Sequence, residues 1–194
     1  VQRITNNKLV AIDTISIDGS AQFETDIELQ SPEMLYLFLD RGETNSGDNN
    51  LMFFAEPGKI NIATDLEYFY SKAVITGSKN NELYETYKKI SSKYNEQQLE
   101  LTVAKLKAQK NKQFDVIASI DEKSNVILKR KYLYAINFAV TNKEYEVAPY
   151  IALSEINDAT IMYLDTIQKS MSPKVAKSRY GVMLTKYIGE RKKE

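Results

Sequence analysis

The chain has 194 residues, 43% apolar and 27% charged, with 26 basic and 26 acidic residues and a formal net charge of zero. That composition suits one globular domain or two small ones with a real core, and it excludes a disordered or fibrous protein. There is no His, no Cys and no Trp, so a Ser-His-Asp triad, a Cys nucleophile, a Cys/His zinc site, haem ligation by His, an iron–sulfur cluster and any disulfide are excluded.

The first 77 residues read as strands. Leu9 to Ile17 and residues 20–28 form an expected hairpin about Asp18-Gly19, with Ala21, Phe23, Thr25 and Ile27 alternating with polar residues. Pro32 precedes Met34 to Leu39, apolar at every position and therefore an expected central strand. Residues 40–50 form a polar loop, and Leu51 to Ala55 resumes as a strand. Glu56-Pro57-Gly58 is an expected tight turn, with Lys59 to Ala63 as the partner of 51–55. Tyr68-Phe69-Tyr70 follows, then a short strand Ala73 to Thr76 closed by Gly77.

At Ser78 the apolar period changes. Leu83, Tyr87, Ile90 and Tyr94 mark one helix face, capped by Ser78 or Asn80 and continuing to about Lys110. A second helix is expected from Phe114 to Val140, with a possible break at 121–125. Pro149 suits the first turn of a short helix through Ile156. Asp158 is read as the cap of the next, with Ile161, Leu164 and Ile167. Ser172-Pro173 opens a last helix through Ile188. Strands followed by helices define an α+β fold: an antiparallel, sandwich-like domain at 1–77 and an all-helical region at 78–194. Neither GxGxxG nor GxxxxGK[ST] occurs, so no nucleotide cofactor is expected.

Charge divides along the same line. Residues 1–77 hold 5 Lys/Arg against 12 Asp/Glu, and residues 78–194 hold 21 against 14. The basic residues are interspersed with Glu, as on solvated helices, and do not form the stripe that nucleic acid requires. No apolar run of membrane-spanning length occurs. The opening VQRITNNKLV, without an initiator Met or an apolar signal core, reads as the start of a processed or trimmed chain.

Three groups of residues are candidates for chemistry. Asp40, Glu43 and Asp48 offer the oxygen ligands of a hard cation, but without the spacing of an EF-hand, and a solvated loop accounts for them equally. Asp13, Glu56 and Asp65 could in principle supply paired carboxylates for hydrolysis, though each has a turn or strand-end explanation. Tyr68, Phe69 and Tyr70 could contact a sugar or other ligand, or cap the end of the sheet core. Tyr84, Tyr87 and Tyr94 stand at helical spacing and are read as inter-helix packing. No catalytic residue and no metal site is assigned.

Several stretches together carry a resemblance: Pro57-Gly58 with Ile60-Asn61-Ile62, Gly77-Ser78-Lys79-Asn80-Asn81 followed by Tyr84 and Tyr87, the segment DTISIDGSAQFE at 13–24, and the final SRYGVMLTKYIGERKK. They resemble the uncharacterised domain that precedes the thioredoxin-like domain in thiol-disulfide interchange lipoproteins of certain Gram-negative bacteria. The resemblance implies a periplasmic or outer-membrane-anchored setting. It also implies a Cys-x-x-Cys pair in a following domain, which this chain lacks. It transfers no catalytic residue, so the expected role is that of a non-catalytic accessory module. Its expected partner is a thioredoxin-like domain or an envelope protein, with Arg191, Lys192 and Lys193 as docking residues. The alternative is a solute- or glycan-binding protein using exposed aromatics.

Overall fold

The computed structural model describes residues 1–5, 8–17, 21–42 and 47–193, and has an α+β architecture with an antiparallel sheet region followed by helices. Two compact units divide the chain, Val1–Glu82 and Leu83–Glu194. The sequence reading sets a boundary at 77/78; the first compact unit also takes in the opening turn of the first helix, where Ser78, Asn80 and Asn81 are buried.

In that unit β1 (Gln2–Thr5), β2 (Lys8–Ala11), β3 (Glu33–Phe38) and β4 (Asn50–Ala55) form one antiparallel sheet in the order β2-β1-β3-β4. β3 is internal, as its unbroken apolar run predicts. Cross-strand partners Leu35 and Phe53, and Leu37 and Leu51, point to one side. There they form a core with Ala55 and Phe69. Met34 and Phe54 are partners on the opposite face and are also buried, at 3% and 0% exposure.

A second ladder pairs β5 (Asn61–Ala63) with β6 (Val74–Thr76). Ile60, Ile62, Ala73 and Ile75 pack from it onto the same core. The residues after Gly58 are therefore not the partner of 51–55. Glu56-Pro57-Gly58 carries the chain from one sheet to the other, with Gly58 at φ +125°.

The expected hairpin of 9–17 with 20–28 does not form. β2 pairs instead with β1, in register from Gln2–Ala11 to Thr5–Lys8, and β3 takes the other edge of β1. No ladder is left for residues 21–30. Their alternation is nonetheless real: Thr25, Ile27 and Leu29 are half-buried, their neighbours are exposed, and Ile27 and Leu29 touch the core. Arg3 Nη2 holds this extended segment by donating to the Glu28 carbonyl at 3.2 Å. The turn at Asp18-Gly19 lies outside the described residues.

The second unit is helical. α1 (Lys79–Lys110) and α2 (Phe114–Thr141) form an antiparallel hairpin. Its register is fixed by Gln98 with Ser124, Lys105 with Asp121 and Asn95 with Lys131. α2 is continuous through 121–125, where Asp121 and Ser124 are turned to α1 and not to a loop. α3 (Val147–Glu155), α4 (Ile161–Ser170), α5 (Pro173–Ala176) and α6 (Arg179–Arg191) close a bundle around Ile151, Leu164, Ile167, Val175 and Leu184, all fully buried.

Two helix starts differ from expectation. Thr160, and not Asp158, precedes α4. The helix opened by Ser172-Pro173 lasts a single turn, and Ser178 then caps a new one by accepting from the Gly181 amide at 3.3 Å. No helix among the described residues is long and apolar enough to cross a membrane.

Candidate functional site

The acidic and aromatic candidates of the first unit meet in the connection between β5 and β6. Asp48, in the 3-10 turn Gly47–Asn49, accepts from the amides of Phe69 at 2.8 Å and Tyr70 at 3.1 Å. Arg41 bonds the Leu66 carbonyl and lies 3.8 Å from Asp48. Asp65 accepts from the Glu67 amide at 2.8 Å and pairs with Lys72 at 3.4 Å. That amide, and then the Lys72 charge, holds its carboxyl below the ordinary value. The Thr64 hydroxyl donates to the Phe69 carbonyl at 2.6 Å.

These bonds set the three aromatics in different directions. Phe69 is 5% exposed and belongs to the core, which removes it as a ligand contact. Tyr68 and Tyr70 are each 44% exposed, and Lys72 Nζ stands 4.3 Å above the Tyr68 ring.

The two described members of the cation-ligand set are engaged with backbone amides. Asp48 binds backbone amides, Asp40 accepts from the Gly42 amide at 2.9 Å, and Glu43 lies outside the described residues. Among the described residues no group of three or more acids stands close enough to hold a metal ion. Two of the carboxylates considered for hydrolysis have local partners. Asp13 accepts from the Thr25 hydroxyl, and Asp65 is tied into its own turn.

Glu56 has a role that the sequence did not suggest: it seats the start of α1. Its carboxylate accepts from the Lys79 amide at 2.7 Å, the Asn80 amide at 3.1 Å and Asn80 Nδ2 at 2.6 Å. Burial alone would raise its pKa. The bonds from Asn80, the two amides and Ser78 prevail and lower it. Ser78 Oγ accepts from the Asn81 amide at 3.0 Å, and Asn81 Oδ1 accepts from the Phe54 amide at 2.9 Å on the outer edge of β4. Ser78, Asn80 and Asn81 are 1–2% exposed. Gly77 makes the approach possible, since at φ +92° a Cβ there would lie 2.1 Å from the Lys59 carbonyl oxygen. The visible signal was Gly-Ser followed two residues later by a pair of Asn. It reads as a cap but does not reveal the distant carboxylate.

In the second unit the tyrosines pack as expected. Tyr87, fully buried, stacks on Tyr134 with ring centroids 5.4 Å apart and an interplanar angle of 11°, and Tyr84 meets Tyr150 edge-on at 5.5 Å. Tyr94 lies 6.2 Å from Tyr134. Among the described residues the Tyr87 hydroxyl has no hydrogen-bond partner, and burial pushes its pKa up. Burial and a bond to Asp158 push the Tyr132 hydroxyl up to about 12.

The basic end of α6 is largely engaged within its own unit. Arg191 Nη1 donates to the carbonyls of Asn157 at 2.7 Å and Ala159 at 2.8 Å. Lys192 binds Asp165 at 2.8 Å. Of the three expected docking residues, the Lys193 side chain alone shows no such bond among the described residues, and it is exposed.

No curated protein and no solved structure matches the chain. Residues 1–84 match the family model of a domain of unknown function (DUF4369). The match covers the first unit and ends just after the buried first turn of α1, so the N-terminal unit is an uncharacterised domain type.

Proposed function

We propose that the chain is a non-catalytic interaction module of the cell envelope, acting beside a thioredoxin-like thiol-disulfide domain. The observation that carries this reading is the open edge of β2. All four residues of the strand are exposed, and among the described residues it is laddered only to β1. Leu9 and Val10, adjacent and therefore on opposite faces, are 50% and 46% exposed. An unpaired edge with apolar side chains is a template for an added strand. The acids support the same reading: Asp13, Asp48, Glu56 and Asp65 accept internal donors in the fold. The periplasmic or membrane-anchored setting and the thioredoxin-like partner rest on the resemblance carried by residues 13–24, 57–62 and 77–87.

Calorimetric titration with the isolated thioredoxin-like domain of such a lipoprotein tests the reading. Wild-type chain should bind and Val10→Asp should not, while circular dichroism shows the variant still folded. No heat from the wild type, or equal binding by both proteins, would sink it. The second reading is glycan binding by Tyr68 and Tyr70, favoured by their exposure and by Lys72 over the Tyr68 ring. A glycan-array signal abolished by replacing both with Ala would favour it.

A further inference from the structure

The middle of α1 has a second apolar face. Leu101, Ala104 and Ala108 are partly or fully buried on the side bonded to α2. About half a helical turn away, at 100° per residue, stand Leu99, Val103 and Leu106, which are 65%, 43% and 61% exposed. Their spacing of four and three residues is that of a short coiled-coil seam.

Charges extend and flank that seam in an ordered way. Reading along it, Glu96 and Glu100 lie on the N-terminal side of Val103, and Lys107 and Lys110 on the C-terminal side, all four exposed. None of them has an ion-pair partner within the chain among the described residues. Along the helix Glu96 and Glu100 are four apart and Lys107 and Lys110 three apart, spacings at which like charges repel; Lys93, three before Glu96, is the one opposite charge at such a spacing, and no ion pair joins the two among the described residues.

The pattern is self-complementary in one orientation. If two copies of the seam are laid antiparallel about a two-fold axis near Val103, Leu99 of each copy comes beside Leu106 of the other. Glu100 then faces Lys107, and Glu96 faces Lys110. A parallel arrangement sets Glu on Glu and Lys on Lys. We infer that the outward face of α1, Glu96 to Lys110, is a self-association surface through which two copies pair antiparallel, isologous about Val103. The seam is only about four turns long, so the dimer is of the weak, reversible class.

Sedimentation equilibrium of the full chain from micromolar to millimolar concentration, at low and high salt, tests this. Wild type should show a concentration-dependent dimer that weakens as salt rises. Leu99→Ser should lower the association constant without changing the helical circular dichroism. Glu100→Lys and Lys107→Glu should each weaken association by about tenfold, because each sets like charges face to face. The double reversal Glu100→Lys with Lys107→Glu should recover it to within about twofold, since the opposite pairs are restored. A monomer at every concentration overturns the inference. So do single reversals that associate like wild type, or a double reversal that stays as weak as the singles.

Discussion

Replacing Glu56 with Ala removes the acceptor for three donors at once: the amides of Lys79 and Asn80 and the Asn80 carboxamide. A carboxylate at a helix N-terminus is worth about 1 kcal/mol. Lys79 is exposed, so water can take over its amide. Asn80 is 2% exposed, and a hydrogen bond to a charged acceptor lost at a buried donor costs about 1.5–3 kcal/mol. The expected loss for Glu56→Ala is therefore about 2–3 kcal/mol. Glu56→Gln keeps an acceptor oxygen but loses the charge, for an expected loss of about 1 kcal/mol. The pH dependence has a fixed sign. The folded pKa lies below the ordinary 4.5, so the stabilisation is complete above 4.5 and is lost as pH falls through the folded value. Urea unfolding followed by circular dichroism at pH 7 and pH 3 measures both effects. Wild type and Glu56→Gln should differ at neutral pH and converge in acid. A Glu56→Ala loss under about 0.5 kcal/mol, or a Glu56→Gln deficit that persists unchanged at pH 3, would refute the reasoning.

Two glycines with positive φ should respond differently to Ala. Gly77→Ala drives a Cβ to 2.1 Å from the Lys59 carbonyl oxygen and should cost about 3 kcal/mol or more, whereas Gly58→Ala meets nothing within 4 Å and should cost about 1–2 kcal/mol of backbone strain. Equal costs in urea unfolding would show that the contact at Gly77 is not rigid. Tyr87→Phe deletes a buried hydroxyl that has no partner among the described residues, so thermal unfolding should show unchanged or raised stability; a loss above about 1 kcal/mol would mean that the hydroxyl is bonded. Arg191→Glu should destabilise the helical unit by about 1–2 kcal/mol, because it removes donors to the Asn157 and Ala159 carbonyls, while Lys193→Glu should stay within about 0.5 kcal/mol. Equal effects would show that the α6 end is not fastened by Arg191.

What the sequence reveals is sidedness and punctuation more than pairing. The run Met34 to Leu39 announces a strand covered on both faces, and β3 is that strand. The alternation at 21–28 announces one buried side, and Ile27 supplies it, yet no ladder forms, because ladder partners are chosen by the whole unit. The same limit explains the exchange of partners after Gly58: nothing local says whether residues 59–63 return to β4 or meet a strand ten residues further on. Helix lengths are legible from the 3.6-residue period, whereas the break at Lys177-Ser178 depends on the close approach of Gly181 to the α5 backbone. Of the three aromatic candidates, Tyr68 and Tyr70 keep an exposed surface and Phe69 does not. Phe69 is core because Asp48, some 20 residues earlier in the chain, fixes its backbone. Arg191 and Lys192 read as free basic residues, since their carbonyl and carboxylate partners lie 27 to 34 residues away.

The central claim is that this module works by offering its β2 edge to a thioredoxin-like partner. Amide hydrogen exchange of the chain, alone and with the isolated thioredoxin-like domain in excess, tests it most directly. Added protection should appear at Lys8 to Ala11 and in the adjoining β1, and Val10→Asp should abolish it. Protection unchanged at those residues with the partner in excess, or confined to the Tyr68–Tyr70 turn, would contradict it.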